Sequence, residues 1–146
     1  DETPRALLVE VLKEQYSLWE NTGGVNGNVD KLINPKTFTI ITAHQPSLFT
    51  GPLYYIFKII STINLCKTLA THYPEFQFVP VFVTGGEDHD FEEVNHFQIF
   101  NKQLTWESNE KGSVGLMQTK NILPVLHSLK EIVGDSENAQ KIYQCF

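Results

Sequence analysis

The chain has 146 residues, of which 41% are hydrophobic and 19% are charged, and its formal net charge at pH 7 is −6. This length and apolar content are enough for one buried core and exclude a disordered chain. The acidic balance argues against a nucleic-acid-binding surface, since such surfaces concentrate Lys and Arg on one face.

Cysteine content and hydropathy bear on the compartment. The two cysteines, Cys66 and Cys145, have no metal-binding or redox spacing around them, which suits a reducing, cytoplasmic compartment. The longest apolar stretch, residues 53–69, is interrupted by polar and charged side chains, so it predicts a core helix and no membrane span. The chain does not open on Met and its last residues have helical character, so we expect a fragment of a longer protein.

The N-terminal part predicts a helix, a loop and a strand. Thr3 and Pro4 place a capping residue before a proline at the first helical position, and apolar side chains recur at helical spacing as far as Trp19. Glycines and asparagines in residues 21–28 predict a loop. Residues 37–42 are β-branched and largely apolar, which predicts a strand covered on both faces.

A loop, residues 44–52, then leads into a second helix, with Pro52 well placed as its first residue. This helix extends to about Thr71 and is apolar nearly all round, so we expect neighbouring elements to cover most of it. Residues 77–83 predict a second buried strand, with Pro80 near its start or at a bulge.

Three further segments complete the predicted elements. Residues 97–100 predict a short strand, residues 106–118 are rich in turn formers, and residues 122–133 predict a helix that ends before Gly134. The strand–helix–strand order upstream predicts a right-handed crossover with two parallel strands. Their carboxyl ends then meet at one edge of the sheet, where open α/β sheets bind ligands.

The loop after the first predicted strand carries His44, Gln45, Ser47, Thr50 and Gly51. It leads into a helix N-terminus, whose free N–H groups suit phosphate, and the histidine can stabilise charge on a transferring phosphate or acyl group. The structural alternative is that a hydroxyl caps the helix and the histidine pairs with a carbonyl.

The loop after the second predicted strand holds the densest cluster of ionisable groups. Five carboxylates and one histidine occupy residues 87–93. Crowded carboxylates raise one another's pKa unless a cation, a hydrogen-bond network or a substrate amine relieves them. Glu87, Asp88, His89 and Asp90 can bind a metal or an ammonium group, or act as general acid and base. The alternative is that an aspartate caps a short helix.

Lys58 and His96 are weaker candidates for the functional site. Lys58 is the one charged residue between Leu53 and Cys66, and it either reaches a ligand phosphate or snorkels to solvent. His96 follows His89 by seven residues, so a joint metal site is possible but not required.

Two long motifs resemble those of the bacillithiol biosynthesis cysteine-adding enzymes. Residues 42–54, with Lys58 one turn later, are similar to one signature of that family. Residues 80–82, followed by residues 87–96, are similar to a second signature of the family. Residues 114–117 also resemble the corresponding segment of family sequences. The resemblance covers nearly the whole chain, although family members are considerably longer.

The resemblance implies an α/β, Rossmann-like three-layer α/β/α fold with a mostly parallel sheet, truncated relative to the family, in which residues 1–146 form a single domain. It also implies a cytoplasmic ligase that adds cysteine to glucosaminyl-malate, with small-molecule substrates and no nucleic acid or membrane partner. A homodimer through segments outside this chain is possible. The cofactor is open, ATP or another nucleotide being possible, and no resident metal is assigned.

On this hypothesis the site residues fall into two groups. The catalytic group comprises His44, Asp88, His89 and Asp90. The substrate- or nucleotide-binding group comprises Gln45, Ser47, Thr50, Gly51, Lys58 and Glu87. Two other classes remain open: a metal-dependent hydrolase that uses Asp88, His89, Asp90 and His96, and a nucleotide-binding module without catalysis.

Overall fold

A computed structural model describes residues 3–19 and 23–145. Its helices are α1 (Arg5–Tyr16), α2 (Val25–Lys31), α3 (Leu53–His72), α4 (Phe91–Val94), α5 (Leu123–Val133) and α6 (Glu137–Tyr143). Its strands are β1 (Thr37–His44), β2 (Gln77–Thr84), β3 (His96–Ile99) and β4 (Lys102–Thr105). Two compact units result, a first unit within residues 1–42 and 57–83 and a second unit within residues 43–56 and 84–146.

The predicted strand–helix–strand arrangement is present. Strands β1 and β2 are neighbours in one sheet, and α3 is the connection between them. The backbone N–H of Gln77 donates to Lys36 at one end, and that of Gly85 donates to His44 at the other, both at 3.0 Å. Because partners at both ends follow the same chain order, the two strands are parallel, as predicted.

The prediction that both faces of β1 and most of α3 are covered is wrong for the described residues. Phe38 and Ile41 of β1 are 49% and 61% exposed. Of the 20 residues of α3, all of which the structure describes, Thr62 and Cys66 are the buried ones. Crossover helices cover the faces of a parallel sheet, and within the described residues this sheet has two strands, β1 and β2, connected by one helix, α3. No helix in residues 3–19 or 23–145 is long and apolar enough to span a bilayer.

The N-terminal predictions need two corrections. Helix α1 begins at Arg5 and ends at Tyr16, so Pro4 precedes the helix and Trp19, which is 70% exposed, lies beyond it. Residues 25–28, predicted as loop, belong to α2, whereas residues 20–22 lie outside the described part of the chain. Tertiary packing overrides the weak helix propensity here, since Val29 is buried in the first unit.

The second unit is built around an antiparallel hairpin. Strand β3 begins one residue earlier than predicted and pairs with β4, Ile99 opposite Lys102. Phe100 and Asn101 form the connection, with φ of 47° and 61°, as in a type I′ turn.

Helix α5 packs on β4 and ends before Gly134, which confirms the helix predicted over residues 122–133. The buried core cluster of this unit contains Leu48, Phe49, Leu104, Trp106, Val125 and Leu129.

Candidate functional site

The loops that follow β1 and β2 meet in the second unit. The amide Nε2 of Gln45 donates to Asp88 Oδ2 at 2.9 Å and to Glu93 Oε2 at 3.3 Å. The parallel order of the two strands brings these loops to one edge, as the sequence predicts. A polar network therefore joins the histidine-containing loop to the acidic loop.

His44 is the last residue of β1, and its ring is held on both sides. Nδ1 lies 3.0 Å from the carbonyl oxygen of Gln45, and Nε2 lies 2.8 Å from the hydroxyl of Tyr54. A carbonyl oxygen only accepts hydrogen bonds, so the neutral ring carries its proton on Nδ1 and Nε2 accepts from Tyr54. The predicted pairing of His44 with a carbonyl is thus present, and it fixes the ring beside the loop.

The rest of this loop has an unusual backbone. Phe49, Thr50 and Gly51 have φ of 49°, 71° and 60° in succession, a conformation that is costly for a β-branched residue such as Thr50. The buried ring of Phe49 anchors the segment, packing edge-on against Phe97 at 5.8 Å between centroids. A Cβ on Gly51 would lie 2.7 Å from Ser47 Cβ, so the bend requires glycine. The core thus holds this strained loop in place.

Asp88 is the most constrained carboxylate of the acidic loop. Its Oδ1 accepts the backbone N–H of Asp90 at 2.9 Å, and its Oδ2 accepts the Gln45 amide. The Asp90 N–H first, and then the Gln45 amide, lower the pKa of Asp88 below its usual value. Asp88 is therefore a firmly ionised hydrogen-bond acceptor at neutral pH.

The other predicted site residues are more loosely held. Glu87, His89 and Asp90 are exposed in the second unit. Asp90 directly precedes α4, but the described contacts give it no side-chain cap there. Lys58 is partly exposed on the portion of α3 that belongs to the first unit.

A third segment, residues 114–115, is hydrogen-bonded to the acidic loop, although the sequence did not predict that it belongs to the site. The backbone N–H groups of Val114 and Gly115 donate to the carbonyls of Asp88 and Gly86, both at 2.8 Å. A Cβ on Gly115 would lie 2.9 Å from Gly86 Cα, so the two backbones touch. The sequence has glycine at both positions, but nothing in the neighbouring residues predicts that the two glycines contact each other.

A pocket of about 510 Å³ opens beside the β1 loop within the second unit. Its lining includes Ser47, Thr50 and Gly51, which are predicted to bind a ligand. It also includes Glu93 and His96, which are not among the predicted ligase residues. Across residues 3–19 and 23–145, no three His, Cys, Asp or Glu side chains are grouped so that they could hold a metal ion.

The comparisons with known proteins agree on one family. Residues 1–146 match the domain family described as "Bacillithiol biosynthesis BshC, N-terminal Rossmann-like domain". A protein of Flavobacterium psychrophilum named "Putative cysteine ligase BshC" is 48% identical over 97% of this chain and 27% of its own length. Its namesake in Flavobacterium johnsoniae is 42% identical over 100% of this chain and 28% of its own length. The chain thus spans little more than a quarter of these curated relatives.

Proposed function

The chain belongs to the bacillithiol biosynthesis BshC family, whose N-terminal domain is Rossmann-like, and on that premise we propose that it forms the N-terminal part of a cytoplasmic cysteine ligase. The reaction is the joining of cysteine to glucosaminyl-malate through an amide bond. The observation that carries the proposal is the Gln45 bridge to Asp88, which unites two polar loops at the carboxyl ends of parallel strands.

Amide formation from a free carboxylate in water requires prior activation of that carboxylate. A nucleotide such as ATP would supply this activation by transferring a phosphate-containing group to the acid. The β1 loop fits such a group chemically, because it combines the hydroxyls of Ser47 and Thr50 with the start of the 20-residue helix α3. We assign Gln45, Ser47, Thr50 and Gly51 to binding.

His44 is proposed to stabilise negative charge that develops on the phosphate or acyl group. Its ring is fixed between the Gln45 carbonyl and the Tyr54 hydroxyl, so little reorganisation is needed when the charge appears. Because Nδ1 is the protonated nitrogen of the neutral ring, protonation at Nε2 would convert it into a cation with two donors.

Asp88 is proposed to orient the amine-bearing substrate. A carboxylate whose pKa is lowered is a poor proton acceptor but a good fixed anion. Glu87, His89 and Asp90 are exposed next to it, where they can contact the same substrate. A group other than Asp88 must therefore remove the proton from the amine.

Thiol profiling tests the proposed reaction in cells. The full-length gene is deleted from the source bacterium, and thiols and their precursors are measured by mass spectrometry. We expect bacillithiol to disappear and glucosaminyl-malate to accumulate. Unchanged bacillithiol in the deletion strain would show that the motifs mark only common ancestry.

A further inference from the structure

The 510 Å³ pocket of the second unit combines polar and apolar side chains. Its polar lining residues are Ser47, Thr50, Glu93, His96 and Gln98, and its apolar ones, which make up much of the lining, are Pro52, Leu53, Ile56 and Phe97. Its volume lies within the range of about 300–1,000 Å³ that is typical of small-molecule sites. Hydroxyl, amide and carboxylate groups can together donate to and accept from many sugar hydroxyls.

Glu93 gives the pocket an anchor for a positive charge. Its Oε2 lies 3.3 Å from Gln45 Nε2, which is the amide that also binds Asp88. The carboxylate therefore stands where the pocket joins the network between the two loops. A charge-assisted hydrogen bond to an ammonium group is among the stronger polar interactions available there.

The ring of His96 is oriented as a proton acceptor. Its Nδ1 lies 3.1 Å from the carbonyl oxygen of Glu92 and 3.3 Å from Asn95 Oδ1, and both partners are acceptors. Nδ1 must therefore carry the proton of the neutral ring, which leaves the lone pair on Nε2. His96 lines the pocket together with Glu93, so the pocket holds a carboxylate and a basic nitrogen.

We propose that this pocket binds the amino-sugar substrate, that Glu93 receives its ammonium group, and that His96 is the general base. This inference rests on the proposed ligase function and adds two catalytic-site residues to it. Nε2 of His96 takes one proton from the ammonium group, and the freed nitrogen lone pair forms the C–N bond to the activated cysteine carbonyl carbon. The phosphate-containing leaving group departs with the electron pair of the acyl C–O bond, and the second proton of the attacking nitrogen passes to solvent water, which leaves the neutral amide.

The test uses the full-length protein and two measurements. Binding of glucosaminyl-malate is followed by calorimetry, with glucosyl-malate, which lacks the amine, as the reference probe. Ligation is followed separately by mass spectrometry with cysteine and nucleotide. The variants are Glu93→Gln, His96→Gln and, as a matched control, Glu92→Gln, whose exposed side chain does not line the pocket.

Glu93→Gln should weaken binding of the amino sugar about tenfold or more and leave glucosyl-malate binding unchanged. His96→Gln should bind like the wild type but ligate about 100-fold more slowly or worse, and Glu92→Gln should behave as wild type. Equal binding by Glu93→Gln and wild type would overturn the pocket assignment. If the wild-type protein binds the amino sugar through Glu93 but forms no amide, the ligase function and the role of His96 as a base are refuted. The assignment of the binding site would still hold in that case.

Discussion

Gln45 Nε2 and Asp88 Oδ2 lie 2.9 Å apart, although the two residues are 43 positions apart in the sequence. Their hydrogen bond connects the loop after β1 with the loop after β2. It also accounts for part of the lowered pKa of Asp88, because the amide N–H stabilises the ionised carboxylate. Predictions about this bond therefore test both the geometry and the electrostatics of the site.

Replacing Gln45 with Met should raise the pKa of Asp88 towards its ordinary value. The substitution removes the amide donor but leaves the Asp90 N–H, which is the larger cause of the shift, so the pKa should stay below that of a free aspartate. NMR titration of the Asp88 carboxyl measures the change. Gln103→Met, at an exposed position on β4, is the control, and an unchanged Asp88 titration in Gln45→Met would contradict the bridge.

Asp88 should also make stability depend on pH in one direction. Its folded-state pKa is lowered, so its stabilising contribution is present above the unfolded value of about 4 and is lost as pH falls through the folded pKa. Wild type and Asp88→Asn should therefore differ most in unfolding free energy near neutral pH and converge in acid. Urea unfolding at several pH values measures this, and a difference that grows on acidification would have the wrong sign.

The contact between Gly86 and Gly115 should tolerate no side chain. Gly115→Ala would place a Cβ 2.9 Å from the Gly86 backbone, and we expect a loss of about 1–3 kcal/mol in unfolding free energy. Gly27→Ala in α2 is the matched control, because nothing lies within 4 Å of its new Cβ. That substitution should instead stabilise the protein by about 0.5–1 kcal/mol. Equal effects of the two changes would refute the close approach.

Tyr54→Phe should affect His44 without affecting the fold. The change removes the hydroxyl that lies 2.8 Å from Nε2 and leaves the Nδ1 contact with Gln45. We expect the full-length enzyme to retain its stability and lose activity about tenfold, the scale of one neutral hydrogen bond. Tyr73→Phe, beyond the end of α3, serves as the control. Wild-type activity in Tyr54→Phe would show that this contact is not needed.

The sequence was sufficient to predict the elements on which the site depends. The β-branched runs at residues 37–42 and 77–83 favour strands, and the apolar helix between them makes the strands parallel. From that order alone, the His44 loop and the Asp88 loop were expected at one edge, and the structure places them together. The hydrophobic patterns of these segments and the right-handed crossover rule are therefore enough to predict that the two loops meet.

Other features depend on long-range contacts or on exceptions to local preference. The hairpin from β3 to β4 turns through Phe100 and Asn101, where the usual glycine signal is missing. The close approach of Gly86 and Gly115 joins segments that are distant in sequence. The exposure of Phe38 could not be predicted, because an apolar, β-branched segment has the same sequence pattern whether or not helices cover both faces of the strand.

Amide formation by the purified full-length protein tests whether the loops after β1 and β2 form the ligase site. Wild type, His44→Ala and Asp88→Asn are supplied with cysteine, glucosaminyl-malate and a nucleotide, and the product is quantified by mass spectrometry. We expect wild type to form the amide, and both variants to be slower by about 100-fold or more at unchanged circular dichroism. Wild-type rates in both variants would contradict the assignment of the ligase site to these two loops.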